Sequence, residues 1–398
     1  MTEATQPRMA RGTKLPAAVL AAALFALLAF APFASAATDP VKSGSATVTL
    51  NSGFVKSLKK QGVKIGKIGK AKLKGKRATF PVTGGEMDPT TGAGALNLAG
   101  GLKFTAGKRK APVRALVVNT VKKGLFAKVG AKKVKLAKLA GISFVRNGFG
   151  VNLTVKKLKL TNAAARQLNK KLGFKSGPKP FKGNRLMARA FAEEQPSTVT
   201  ILPGGNVAFA ANTATLGKLA KVKVDVKPVA PTQVKGLGNF EFPINGGTIA
   251  PDASAGVVQT NGGIVLTQKL PTGASTALET EITLGNFFVD LSAKTVSVEV
   301  TLKSNASEEL NRGAIGRASV ADLSLTAAVI GANTTTRTVT VQNAGASLQP
   351  IAAEVLNGFV KVYEGYLQAQ GKTAEEAKQE QIAAGDPLGV FSLTAQTQ

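Results

Sequence analysis

The sequence predicts a mainly β chain: two tandem antiparallel β-sandwich-like domains, each with a short C-terminal helical element. Three observations predict it. Apolar and polar residues alternate with period two in many short runs, glycine pairs punctuate those runs, and one glycine-rich block occurs twice at a fixed offset.

The block runs from Phe80 to Thr105, FPVTGGEMDPTTGAGALNLAGGLKFT, and its echo from Phe242 to Thr267, FPINGGTIAPDASAGVVQTNGGIVLT. They align without a gap at an offset of 162, with 10 of 26 positions identical. Both Gly-Gly pairs are among the identities, as turns that need positive φ would require. Upstream, Ala46-Thr47-Val48-Thr49-Leu50 is echoed by Ser197-Thr198-Val199-Thr200-Ile201, so each copy is expected to open on an alternating strand. The segment Gly173 to Gln195 mixes Gly, Pro and charge in the manner of a connector. The expected divisions are therefore a domain at 37–185, a linker at 186–196 and a second domain at 197–398.

Within each domain the clearest strands are Val151 to Val155, Val222 to Val226, Val296 to Leu302 and Thr338 to Val341. Asn162 to Leu172 reads as a helix with Ala164, Leu168 and Leu172 on one face. Near the C-terminus Val355, Leu356, Phe359, Val362, Tyr363, Tyr366 and Leu367 recur at helical spacing, and Thr373 with Glu376 forms a capping box for a further short helix.

At the N-terminus Arg8, Arg11 and Lys14 precede an apolar run from Leu15 to Phe33, followed by Ala34-Ser35-Ala36. That order is the one a secretory signal requires, with cleavage between Ala36 and Ala37. Residues 1–36 are thus expected to be a removable signal peptide, leaving a secreted or cell-surface protein with no transmembrane segment.

His, Cys and Trp are absent. Their absence excludes disulfides, thiolate or imidazole metal sites, and Ser-His-Asp or Cys-His catalysis. The adjacent carboxylates Glu193-Glu194, Glu308-Glu309 and Glu375-Glu376 are expected on the surface rather than as an acid/base couple, and no phosphate-binding glycine loop is present. A binding protein is expected, not an enzyme.

Charge is unevenly spread. The chain holds 52 Lys+Arg against 22 Asp+Glu, but residues 37–190 carry 35 of those cations and only 3 acids, Asp39, Glu86 and Asp88. Residues 191–398 hold 14 and 18. Many lysines alternate with apolar residues, as at Lys132, Lys133, Lys135, Lys156, Lys157 and Lys159, which puts ammonium groups on one sheet face. Such a face keeps sheet edges unpaired in solvent, or it docks a polyanion such as teichoic acid, anionic lipid or extracellular DNA. No spacing matches a sequence-specific nucleic-acid reader, and a structural wall protein with no small ligand is a further reading.

The Phe-Pro-x-x-Gly-Gly opening, the Asp88 to Gly92 turn, the Gly100 to Phe104 strand and the closing Asp386 to Phe391 together resemble HtaA domains, exported haem-transport-associated modules of actinobacteria. The resemblance implies haem acquisition at the cell surface, with haem or a haemoprotein as partner. It also implies an axial tyrosine early in the domain and a supporting histidine. Those places fall near Leu58 and near Ala106 or Gly107 in the first copy, and near Phe209 and Gln268 in the second; no such ligand stands at any of them. Haem as a cofactor rests on the resemblance alone. The chain's only tyrosines, Tyr363 and Tyr366, are the remaining cofactor-binding candidates, although three apart on an amphipathic helix they also suit ring packing.

Overall fold

The computed structural model describes residues 38–273 and 275–398. The expected signal peptide lies outside the described residues.

The first sheet begins with β1 (Asp39–Leu50), which leads into α1 (Ser52–Lys60). Asn51 sets the helix start, its side-chain oxygen accepting from the Phe54 N–H. Then come β2 (Val63–Ile68), β3 (Lys72–Lys74), β4 (Arg77–Met87), β5 (Gly94–Ala106), β6 (Arg109–Asn119), β7 (Gly124–Val129), β8 (Lys132–Asn147) and β9 (Gly150–Leu160). Helix α2 (Asn162–Leu172) follows, capped by Thr161 and stopped by Gly173 at φ 84°, and β10 (Leu186–Pro196) closes the series. All pairings are antiparallel, and β4 pairs with both β1 and β5. The sheet therefore closes on itself in the circuit β1-β4-β5-β6-β7-β8-β9-β10, with β2 and β3 laid alongside β5 and β4.

The second sheet repeats this order. It comprises β11 (Val199–Ala211), α3 (Thr213–Lys221), β12 (Val224–Val229), β13 (Gln233–Val234), β14 (Asn239–Ile249), β15 (Gly256–Thr260), β16 (Gly263–Pro271), β17 (Ala277–Asp290), β18 (Thr295–Ser304), β19 (Gly313–Ser324), β20 (Val329–Asn333), β21 (Thr338–Leu348), α4 (Pro350–Ala369), the short α5 (Ala374–Ala377) and β22 (Pro387–Thr397). Its circuit is β11-β14-β15-β17-β18-β19-β21-β22, closed by the β22 to β11 pairing. The sandwich-like packing is thus produced by one closed sheet in each half, a barrel with a helix near its C-terminal end.

Register makes the correspondence residue by residue. Ala46 opposes Phe80 as Val207 opposes Phe242, and Val63 opposes Ala106 as Val224 opposes Gln268. Asn51 and Asn212 cap the first helix of each barrel. The strand equivalent to Ala46–Leu50 is therefore Val207–Ala211, not the upstream echo at Ser197–Ile201.

Three expectations change. Leu186–Pro196 is no linker: it is β10, paired with both β1 and β9, and the chain crosses to β11 through Ser197 and Thr198. Helices α1 and α3 were not anticipated, and Val222 caps α3 so that the strand expected there starts at Val224. Glu194 is not on the surface but 3% exposed, because period two along β10 turns it inward next to outward Glu193.

Candidate functional site

The two barrels differ in how they are filled. In the first, Phe181 stands edge-on to Phe54 and Phe104, with centroids 6.1 and 5.2 Å apart. Asn169 on α2 holds the Phe181 backbone: Nδ2 donates to its carbonyl at 2.8 Å and Oδ1 accepts from its N–H at 3.3 Å. The void left in this core is about 50 Å³.

The second barrel keeps the clamp without the rings. Asn357 on α4 donates to the Ile382 carbonyl and accepts from its N–H, both at 2.8 Å. Ile382 thus takes the place of Phe181, and by register and helix cap Thr215 takes that of Phe54 and Leu266 that of Phe104. Between α4 and the barrel interior lies a cavity of about 320 Å³, with Phe209, Leu219, Leu266, Ile282, Val300 and Phe391 in its wall. The wall also includes exposed Glu309, Arg312, Glu354 and Lys361, with Ile315 and Ile351 exposed by 44% and 51%. Asn212 and Thr215, polar residues inside, are already bonded: Asn212 caps α3, and the Thr215 hydroxyl donates to the Pro387 carbonyl at 2.7 Å.

Residues 204–365 match the HtaA family model. The match starts within β11, ends within α4, and so spans most of this cavity. The crystal structure of the C-terminal domain of HtaA from Corynebacterium glutamicum is similar over 50% of this chain and 99% of its own, at 14% identity and a TM-score of 0.33. A domain-swapped dimer of a variant of that domain covers 46% of this chain and 88% of its own, at 16% identity and a TM-score of 0.29. No curated protein matches the chain.

The ligand positions that the resemblance to HtaA domains implies fall on a helix and a strand of each barrel. Leu58 lies fully buried on α1, and its equivalent on α3 is Leu219, in the cavity wall; Phe209, placed at this position by sequence, corresponds instead to Val48. Gln268 does stand opposite Val224 as Ala106 stands opposite Val63. Buried, it donates through Nε2 to the carbonyls of Val222 at 2.6 Å and Phe359 at 3.0 Å, tying the end of α3 to α4. Tyr363 and Tyr366 stack on each other at 6.1 Å along α4 and are not in the cavity wall. The side chains at these positions do not fit a haem iron: Leu219 has no donor atom, and Gln268, whose amide oxygen is buried without a hydrogen-bond partner, offers neither imidazole nor phenolate and is not in the cavity wall.

On the first barrel the register creates rows that the sequence did not reveal. Lys128 stands directly opposite Arg114 on one side and Lys133 on the other, and Lys138 opposite Lys159. Lys132 and Lys157 face Val129 and Ala140, Lys156 lies against Gly141, and Lys135 donates to the Lys122 carbonyl at 2.8 Å. Alternation within a strand had pointed to six lysines; Arg114, Lys128 and Lys138 join them only through cross-strand pairing. Among the described residues, the one ion pair made by a first-barrel cation within 4 Å is Lys42 to Asp252.

Where the barrels meet, acids are buried. Asp39 and Glu194 are each 3% exposed, and Asp39 Oδ2 and Glu194 Oε2 have no hydrogen-bond partner. Burial pushes the Asp39 carboxyl up to about 6 against the lowering effect of its Thr200 hydrogen bonds, with nearby Asp88 adding to the rise. Burial likewise pushes Glu194 up to about 7, opposed by a Val151 backbone hydrogen bond and reinforced by Asp39.

Proposed function

We propose that the chain is a non-enzymatic cell-envelope binding module made of two HtaA-type copies, exported by the N-terminal signal, in which the second barrel holds an apolar small molecule. The observation that carries this reading is the cavity of about 320 Å³ inside the HtaA-matching segment, set against a first barrel of the same strand order closed to about 50 Å³. A concave, mostly apolar cavity of this size lies at the lower end of the roughly 300–1,000 Å³ range of small-molecule sites. The family association with haem makes a porphyrin, held by apolar contact without ligation of its iron by Leu219 or Gln268, one candidate for that small molecule. No helix among the described residues is long and apolar enough to cross a membrane.

The test is uptake of an environment-sensitive naphthylamine dye by the full chain, with hemin and metal-free protoporphyrin as competitors. One dye per chain is expected, and any porphyrin competition should be the same with and without iron. Failure of dye and both porphyrins to bind would overturn the reading.

A second reading, for the first barrel, is favoured by the row Arg114, Lys128 and Lys133. Like charges directly opposite on neighbouring strands repel, and a polyanion laid across them relieves that repulsion. Salt-dependent binding of the full chain to teichoic acid or DNA tests it; binding indifferent to salt would exclude it.

A further inference from the structure

We infer that the second-barrel cavity holds a single unbranched acyl chain, whose polar head stays at the surface. The inference rests on the reading of this barrel as the ligand-holding one and names the ligand's chemical class.

Replacement of rings by smaller side chains creates the space. Thr215 and Leu266, where the first barrel has Phe54 and Phe104, both lie in the cavity wall. The open volume is therefore a property of this copy's side chains and not of the strand order the two barrels share.

The interior then selects hydrocarbon. Asn212 Oδ1 is spent on capping α3 and the Thr215 hydroxyl proton on the Pro387 carbonyl, which leaves the Asn212 amide nitrogen at the start of α3; beyond it the interior wall is Leu, Ile, Val and Phe. A ligand amide or hydroxyl buried here would exchange water for nothing, at about 1–3 kcal/mol each. A flexible chain loses nothing of that kind, and its staggered torsions let it follow the curved wall of Leu, Ile, Val and Phe.

The opening selects an amphiphile. Glu309, Arg312, Glu354 and Lys361 are exposed there, and none of them is in an ion pair within 4 Å among the described residues. Exposed Ile315 and Ile351 sit in the same wall, so apolar surface continues from interior to solvent. Charges of both signs accept the head of a free fatty acid or of a lysophospholipid alike; the chain is the shared chemistry.

The experiment is displacement of N-phenyl-1-naphthylamine from the full chain by saturated fatty acids of increasing length, by lysophosphatidylcholines of matched length, and by hemin. One site per chain is expected. Affinity should rise about fourfold per added methylene, which corresponds to about 0.8 kcal/mol, until the cavity is full, and the two head types should perform alike at equal length. Leu266→Phe, which restores the ring of the first barrel, should weaken binding by at least about tenfold and bring the plateau to shorter chains. Displacement independent of chain length, or undiminished by Leu266→Phe in a folded variant, overturns the inference. Should that variant fail to fold, the length series on the unaltered chain decides alone. Displacement by hemin but by no acyl chain removes the acyl assignment while leaving the barrel as the ligand-holding one; no uptake of any kind removes both.

Discussion

Asp39 Oδ1 accepts two hydrogen bonds from Thr200, one from its backbone N–H at 3.0 Å and one from its hydroxyl at 3.2 Å. The bond joins the first strand of one barrel to the first strand of the other. Ser197 donates to the Pro40 carbonyl at 2.7 Å beside it, Gln398 reaches Thr90 at 3.2 Å, and Phe149 from the β8 to β9 turn is buried in the second barrel's core. The barrels are therefore joined by polar bonds around one inserted ring.

This joint should titrate. The groups that face it are Asp39, Glu194 and Asp88, with Arg146 on the same register line as Glu194 through Val151. A carboxyl raised to about 6 or 7 binds its proton more tightly in the folded chain than in the unfolded one. Stability contributed by these two acids is then fully present below the ordinary carboxylate range, and it is lost as pH rises to about 7. Asp39→Asn keeps the acceptor for Thr200 and removes the buried charge. It should raise Tm by on the order of 2 °C at about pH 8 and leave it nearly unchanged at about pH 4, below both values. Thermal melts across that pH range check it; a variant equally stabilised at both ends would exclude titration of Asp39 as the cause.

The asparagine clamps make a paired prediction. Asn169→Ala leaves the buried N–H and carbonyl of Phe181 without partners, and Asn357→Ala does the same to Ile382. Each should cost about 1–3 kcal/mol in urea unfolding. A loss confined to one barrel would show that only that clamp closes on a well-packed segment.

The repeat was legible because its glycines answer a backbone demand. Gly85 and Gly247 have φ of 123° and 119°, and a Cβ on either would meet a carbonyl oxygen across the strand at 2.0 Å. Such a constraint acts on the same positions of both copies whatever fills the core. Helices α1 and α3 were hidden because each is one short amphipathic stretch of nine residues directly after a strand, with no room for a helical period to establish itself. The cavity was hidden for another reason: Phe54 to Thr215 and Phe181 to Ile382 lie outside the ungapped block, and their equivalence depends on strand register and caps. The burial of Glu194 leaves no mark in the sequence because a segment of linker-like composition has no inward and outward faces until it pairs as β10.

Charge reversal in the cationic row separates partner binding from folding. Lys128→Glu puts a carboxylate between Arg114 and Lys133, turning two repulsive cross-strand pairs into attractive ones worth about 0.2–1 kcal/mol each. The variant should be slightly more stable at low salt and bind a DNA duplex more weakly, with the slope of log K against log salt reduced by about 0.9 or more. A solvated face with no polyanion role would gain the stability and show no change in slope.

Phe181→Ala tests whether ring filling alone distinguishes the barrels. Phe181 is 2% exposed and packs on both Phe54 and Phe104, so its loss should cost about 3–5 kcal/mol, transfer and cavity contributions together. The first barrel would then hold an apolar void under the same Asn169 clamp that the second barrel keeps as Asn357. If side-chain volume is what makes the second barrel a ligand holder, dye uptake should rise from one to two per folded chain. Uptake that stays at one, in a variant whose far-ultraviolet spectrum is unchanged, would assign the difference to the opening between α4 and the β18 to β19 loop, where Leu310 packs against Gly358.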